Sequence, residues 1–542
     1  MPDTHIVTNQ VPELVDHNPA ASPVLVEALI REGGGWGLDE VTELGALSGG
    51  VTAQRWGDLA DRNRPVLHTH DRYGNRIDEI EYDPAYHELM RTAIAHGLHA
   101  APWADERPGA HVVRAAKMGV WTPEPGHVCP ISMTYAVVPA LRHNPELAEV
   151  YEPLLTSRAY EPELKIPTTK AGITAGMSMT EKQGGSDVRA GTTAALPNAD
   201  GSYSITGHKW FTSAAMSDVF LVLAQAPGGL SCFLMPRVLP DGTRNRMLLQ
   251  RLKNKLGNHA NASSEVEYDG AVAWLVGEEG RGVPTIIEMV NLTRLDCTLG
   301  SATSMRQGLT RAMHHAAHRK AFGAYLIDQP LMRNVLADLA VEAEAATIIA
   351  MRMAGATDAA TRGDERETLL RRIGLAAAKY WVCKRATPHA GEAMECLGGN
   401  GYAEDSGMPR LYREAPLMGI WEGSGNVSAL DALRAMATRP ECVEVLFDEL
   451  GTTAGLDARL DVHVDALRGD LADPTNIEYR ARKVAEDITL ALQGSLLVRH
   501  GHPAVTEVFL ATRMARDWGG AFGTLPVGLD LAPIIERALV KG

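Results

Sequence analysis

The spacing of apolar positions changes period twice along the chain. Up to about residue 170, apolar residues recur at helical spacing, as in VLVEALIREG and HELMRTAIAHGLHA, between clusters of turn-forming residues. Gly33, Gly34 and Gly35 are expected to end the first of these helices, and the Pro- and Gly-punctuated segments WTPEPGHVCP and ELKIPTTKAG read as loops. From Gly172 to about Gly277 the pattern is that of strands. YSITGHKWFTS, DVFLVLAQA, LSCFLMPRV and SSEVEYDGAVAWLV are rich in β-branched and aromatic residues, and NADG, APGG, LPDG and LGNHANA separate them with good turn chemistry. From about Pro284 long helical stretches return, four or more with short links, which predicts a bundle. Beyond Pro440 about 100 further residues are again helix-like. The expected order is an N-terminal helical domain over 1–172, a β domain over 173–283, a helical bundle over 284–438 and an additional helical domain over 439–542.

Composition narrows the class. Of 542 residues, 45% are hydrophobic and 22% charged, which excludes a disordered or fibrous chain. The length predicts roughly three or four domains. The net charge of −15 argues against broad affinity for nucleic acid or anionic membrane. Six cysteines (Cys129, Cys232, Cys297, Cys383, Cys396, Cys442) show no CxxC spacing, so neither a disulfide framework nor a structural zinc site is expected. MPDTHIVTNQVPE lacks the basic and apolar regions of a signal peptide, and no apolar run reaches spanning length. The expected location is the cytoplasm.

Several motifs carry candidate chemistry. Met179-Thr180-Glu181-Lys182-Gln183-Gly184-Gly185-Ser186-Asp187 places two glycines, where backbone can approach a ligand closely, beside hydroxyls suited to flavin carbonyls and a pyrophosphate. A Gly-Gly-Ser-Asp run alone is an ordinary turn; its weight comes from companions in fixed order. These are GHKWFTS, KNKLGNHANASSEVEYDG, HRKAFGAYLIDQP, a run from Glu395 through Gly398, Gly399, Gly401, Tyr402, Asp405 and Arg410 to Glu414, and Trp421-Glu422-Gly423-Ser424-Gly425-Asn426.

With these motifs the chain resembles the acyl-CoA dehydrogenase superfamily of flavoproteins from its first helices to about residue 435. TEKQGGSDV, GHKWF, KLGN, WEGSGN and the extra C-terminal segment are similar to the alkylation-response, AidB-type branch. The resemblance implies an α+β multidomain fold: an N-terminal α domain, a central β-barrel-like domain, a C-terminal four-helix bundle and an additional helical domain. It implies FAD held by Met177, Met179, Thr180, Gly185 and Ser186, with Phe211, Thr212 and Ser213 against the flavin ring. It implies that Arg319, Phe322 and Gln329, with Gly398 and Gly399, form a site shared between subunits, so that the active species is a homotetramer. An Arg fork suits a pyrophosphate. Trp421, Gly423, Ser424 and Asn426 are the remaining cofactor positions. The resemblance implies that Glu422 is the general base that takes the α-proton of an acyl-CoA, a role in which desolvation raises a carboxylate toward working pH. Some relatives carry the base just before a fixed arginine; that arginine matches Arg294, and Thr293 precedes it, so no second base is available.

Two features are set aside. His314 and His318 stand four apart without a carboxylate cluster, and read as surface or interface residues rather than metal ligands. Gly33–Gly35 follows no strand and is no dinucleotide fingerprint.

The AidB-type resemblance implies an alkylation-damage response, weak isovaleryl-CoA-type dehydrogenase activity and binding of double-stranded DNA by the extra domain. Residues 441–542, however, hold 16 acidic against 10 basic side chains, and mixed-charge helix faces are the more economical expectation there. A local patch from Arg480, Arg482, Lys483, Arg499, Arg513 and Arg516 is the DNA-binding alternative. Two other functions stay open: an ordinary short- or branched-chain acyl-CoA dehydrogenase, and a flavin-dependent oxidase or monooxygenase on a non-CoA substrate.

Overall fold

The structure, a computed structural model, describes residues 4–539. The extreme ends of the expected first and last domains, 1–3 and 540–542, lie outside the described residues. In chain order the elements begin with α1 (Pro23–Arg31), α2 (Leu38–Gly49), α3 (Val51–Arg62), β1 (Val66–His70), β2 (Arg76–Glu81), α4 (Pro84–Ala95), α5 (Ala110–Val120), α6 (Val128–Leu141) and α7 (Pro145–Thr156). Seven strands follow: β3 (Ala175–Ser178), β4 (Ala194–Pro197), β5 (Tyr203–Thr212), β6 (Val219–Ala226), β7 (Gly229–Pro236), β8 (Met247–Leu252) and β9 (Ser264–Val276). Then come α8 (Gly282–His318), the short β10 (Lys320–Ala321) and β11 (Ala324–Tyr325), α9 (Pro330–Thr361), α10 (Glu365–Glu395), α11 (Met408–Met418) and α12 (Gly425–Thr438). The tail holds α13 (Glu441–Gly451), α14 (Ala458–Ala472), α15 (Ile477–His500), α16 (Pro503–Phe509) and α17 (Ala532–Ala538).

The chain divides into two compact units. One comprises 51–110 and 121–293; the other comprises 1–50, 111–120 and 294–542.

The first unit is built around the β-sheet. β7 pairs with both β9 and β6, so β6, β4, β5, β9 and β7 close into a ring, with β3 beside β6 and β8 beside β9. β6 reads VFLVLAQA with six consecutive buried residues, as expected of a strand covered on both faces. Phe220, Val222, Phe233, Met235, Leu249, Val266 and Tyr268 fill the interior. The NADG turn forms as expected: Ser202 N donates to Asp200 Oδ1 at 3.0 Å, and Gly201 takes φ +85°. The β1–β2 hairpin is an addition within the stretch read as helices and turns. Asp71 caps its turn by accepting from Tyr73 N and Asn75 N, and Arg76 ties it to Leu249 O at 2.8 Å. WTPEPGHVCP is a loop only through His127; its last residues open α6, an apolar helix buried on nearly every side.

In the second unit α1 ends as expected, with Gly33 at φ +90° and Gly34 N donating to Leu29 O. Helices α9, α10, α12, α13 and α15 pack on one another. Two buried ion clusters bind the tail helices to the bundle. Arg513 meets Asp338 at 2.6 Å and Glu342 at 2.9 Å, and Arg385 meets Glu342 at 3.1 Å. Glu449 of α13 accepts from Arg352 of α9 (3.4 Å), Arg366 of α10 (3.1 Å) and Arg499 of α15 (2.9 Å). Burial opposes the Glu449 charge, but the three guanidiniums outweigh it and hold its pKa at about 2.

This cluster sets an acid sensitivity. A carboxyl depressed on folding stabilises above its ordinary pKa, and that contribution disappears as pH falls toward 2. Glu449→Gln is expected to cost about 3 kcal/mol at neutral pH and to flatten the loss of stability on acidification. Thermal melts of both proteins at neutral pH and near pH 3 measure this; equal melting temperatures at neutral pH contradict it.

Candidate functional site

The sequence-predicted residues fall in both units, and each group is described within its own. In the β unit, Met177 is buried on β3, while Met179 and Thr180 emerge half-buried at its end. The turn that follows is organised by a residue to which the sequence reading gave no role. Glu181 is buried and accepts from Thr192 N (2.7 Å), Thr193 N (3.0 Å), Gln183 Nε2 (2.7 Å) and Lys209 Nζ (2.9 Å). Burial works against its charge, but the Thr192 amide and the Lys209 ammonium hold the carboxyl well below the usual range. Lys209 also donates to Met179 O at 3.1 Å, and Trp210 N to Thr180 O at 2.8 Å, so the turn is fastened to the end of β5. A Cβ on Gly185 would lie 2.4 Å from Thr180 Oγ1, and one on Gly184, at φ +141°, would meet nothing within 4 Å. Glycine is therefore required at 185 by packing and at 184 by conformation. Ser186 is exposed.

At the end of β5, Thr212 is fully buried, its Oγ1 2.5 Å from Ser178 Oγ, which accepts from Tyr268 OH at 3.0 Å. Ser213 Oγ is 3.2 Å from Ser263 Oγ. Trp210 and Phe211 present rings to Lys253, whose Nζ lies 3.1 Å and 4.6 Å from their centroids. Phe211 is half exposed.

In the helical unit, Glu422 occupies the turn between α11 and α12 with φ +56°. A left-handed backbone costs a non-glycine residue about 1 kcal/mol and persists only where the surroundings over-determine it. Here they do. Lys379 of α10 donates to Trp421 O at 2.9 Å and also to Gly423 O. Arg294 of α8 donates through Nε to the carbonyl of Glu422 itself at 2.9 Å. Arg294 is fixed by Asp431 at 2.7 Å, and Asp431 is held from its other side by Arg372 at 2.9 and 3.0 Å. Burial disfavours the Asp431 charge, yet the two arginines keep its pKa below the ordinary value. Gly423 follows at φ +106°, where a Cβ would crowd Val427 at 3.0 Å. The Glu422 side chain is half-buried, and burial pushes up the thiols of Cys297 on α8 and Cys383 on α10. Thr293 bonds back to Val290 O in its own helix. Sequence reasoning missed Lys379, Arg372 and Asp431. The available signal was a lysine inside the apolar run LAAAKYWVC, where a charge must find partners.

The other predicted positions lie apart from that turn in sequence. β10 and β11 form a hairpin whose two-residue tip, Phe322 (φ +53°) and Gly323 (φ +85°), leaves Phe322 fully exposed. Gln329 Nε2 donates to Ala321 O at 2.9 Å within this hairpin. Arg319 donates to the carbonyl of Asn9, and Asn9 brackets the hairpin through Lys320 N and O. Gly398, at φ +59°, and Gly399 have open space at their Cβ positions. His314 bonds Pro12 O and His318 bonds His314 O; no metal-holding cluster exists among the described residues.

The six basic candidates of the tail do not form one free patch. Arg480 and Lys483 meet Asp470, Arg499 meets Glu449, Arg513 is buried on Asp338, and Arg516 lies 3.7 Å from Asp487. Arg482 instead donates to Asn426 Oδ1 at 2.8 Å.

Each unit by itself holds groups that suit an aromatic, phosphate-bearing cofactor. Glycines 184, 398 and 399 leave open approach. Trp421 Nε1 is buried with no acceptor among the described residues. No described helix is long and apolar enough to cross a membrane.

Comparison with known proteins agrees with this chemistry. Residues 9–162 match the adaptive response protein AidB N-terminal domain, 176–271 the acyl-CoA dehydrogenase middle domain, and 280–437 the acyl-CoA dehydrogenase C-terminal domain. The chain is 42% identical to AidB of Escherichia coli (strain K12) over 511 residues, covering 93% of this chain and 94% of that one. It is 31% identical to acyl-CoA dehydrogenase family member 11 of Caenorhabditis elegans, covering 82% and 77%. The crystal structure of Caenorhabditis elegans ACDH-11 in complex with C11-CoA superposes with a TM-score of 0.84 at 28% identity, covering 95% of this chain and 94% of that chain. The chain therefore belongs to the acyl-CoA dehydrogenase family, FAD-dependent oxidoreductases acting on CH–CH bonds, and is AidB-like within it.

Proposed function

We propose that the chain is an acyl-CoA dehydrogenase of the AidB type in which Glu422 removes the α-proton of an acyl-CoA thioester. FAD, when bound, accepts the β-hydride. The observation that carries this reading is the carboxylate turn: a strained, half-buried glutamate whose backbone is gripped on three consecutive carbonyls by two cations. Such a grip fixes where the carboxylate hangs before any substrate arrives, which is what a general base needs. Thr180, Gly185 and Ser186, with Met177, Met179, Phe211, Thr212 and Ser213, are assigned to the flavin. Trp421 offers an N–H that has no acceptor among the described residues, and Gly423, Ser424 and Asn426 line the same turn.

The reading includes a cytoplasmic homotetramer with shared cofactor sites. Support comes from Phe322, held fully exposed at a strained tip beside Arg319, a cost that contact with a second copy would repay. Gln329, Gly398 and Gly399 belong to that shared part. The physiological setting is alkylation stress, with branched acyl-CoA of the isovaleryl type as a slow substrate. This rests on the AidB-type motifs of the sequence and on the match of residues 9–162 to the adaptive response protein AidB N-terminal domain. Fast turnover of short or branched acyl-CoA would make it an ordinary dehydrogenase instead, and oxygen consumption with a non-CoA substrate an oxidase or monooxygenase.

Anaerobic titration with isovaleryl-CoA and longer acyl-CoAs should bleach the visible flavin band of the wild type, while Glu422→Gln retains FAD and does not bleach. Bleaching by that variant at the wild-type rate refutes the assignment. Lys379→Met strips a buried donor from two carbonyls, each costing about 1–3 kcal/mol when left unmade. Bleaching should slow by roughly ten-fold or more with FAD still bound; an unchanged rate removes the positioning role. DNA binding by the tail is a second reading, against which stand the carboxylates on five of its six candidate cations. On that account no mobility shift of duplex DNA is expected at low salt, and a shift that weakens steeply with added salt would overturn it.

A further inference from the structure

A side chain of the tail beyond Pro440 reaches the segment that follows Glu422. α15 packs against α12 and α10. From its second turn Arg482 donates through Nε to Asn426 Oδ1 at 2.8 Å, four residues after Glu422. Most basic residues of the tail are neutralised. Arg459, Arg480, Lys483, Arg499, Arg513, Arg516 and Arg537 all have a carboxylate within ion-pair distance. Arg468 lies over the Phe447 ring instead. Arg482 has no carboxylate partner among the described residues, although its segment carries more acidic than basic side chains. A cation left unbalanced in acidic surroundings asks for an anion from elsewhere.

A second such cation stands at the same place. A Cβ on Gly425 would lie 3.5 Å from Lys384 Nζ and 3.5 Å from Tyr380 Cε2, both on α10. Lys384 also lacks an ion pair among the described residues, and both cations are exposed. Burial raises the Tyr380 pKa, and the charge of Arg482 acts against that rise. Gly425 and Asn426 are thus flanked by two accessible, uncompensated positive charges, one from the bundle and one from the tail. An Arg fork with a free edge and a flexible ammonium suit phosphate oxygens.

We propose that Arg482, with Lys384, binds the phosphate-bearing part of FAD, so that the additional C-terminal domain is part of the cofactor site. The proposal rests on the reading of Ser424 and Asn426 as flavin contacts. It gives the acidic tail a task that needs one cation rather than a basic face.

The test is flavin binding, independent of any acyl substrate. Apoprotein of the wild type, Arg482→Ala, Arg482→Lys and Lys384→Met is titrated with FAD and with riboflavin, which has the same ring and no phosphate. Flavin fluorescence reads binding, and circular dichroism confirms the fold. Arg482→Ala should weaken FAD about ten-fold, the size of one charge-assisted contact, and leave riboflavin unchanged. Arg482→Lys should recover part of the loss, and Lys384→Met should show the same selectivity. Equal losses for both flavins, or none for FAD, overturn the proposal while leaving the flavin assignment intact. A wild type that takes up neither flavin overturns both.

Discussion

The structure of the helical unit turns on one constraint: a glutamate placed in left-handed backbone and kept there by cations bound to main-chain oxygen. Lys379 is almost fully buried and spends its charge on the carbonyls of Trp421 and Gly423. Arg294 spends part of its fork on the carbonyl of Glu422 and part on Asp431. A buried ammonium is tolerated only where acceptors surround it, and a strained residue persists only where its neighbours cannot relax. Each requirement is met by the other. The clamp acts on the main chain of residues 421–423, so the backbone sets where the Glu422 side chain starts.

The β unit solves a related problem with a carboxylate. Glu181 gathers amides and an ammonium from both ends of a turn, and so fixes the loop that Thr180, Gly185 and Ser186 occupy. In both places the residue that organises the loop is a neighbour of the motif residues in sequence or a partner from a distant element. Motif glycines supply conformations and clearances; buried charges supply rigidity.

Much of this was legible beforehand. Runs rich in β-branched and aromatic residues gave the β domain and four of its seven strands, β5, β6, β7 and β9, helical spacing gave the long helices, and the ordered motifs gave the family. What could not be read were pairings across sequence. Lys379 is 42 residues from Trp421 and Lys209 is 28 from Glu181, and no local period links them. The β1–β2 hairpin escaped because its strands are short and polar on one side, and α6 because an all-apolar helix has no period to display. The tail's arginines looked like a potential basic face in the sequence; in three dimensions all but Arg482 of the six have carboxylates, which spacing along the chain does not reveal.

The claim that Glu422 is poised as a base is tested most directly by following its proton. Incubating the flavin-loaded protein anaerobically with an acyl-CoA in deuterated water, and recording α-deuterium incorporation by mass spectrometry, isolates that step from the redox chemistry. The account expects exchange with the wild type and none above background with Glu422→Gln. Equal incorporation with both proteins would contradict it.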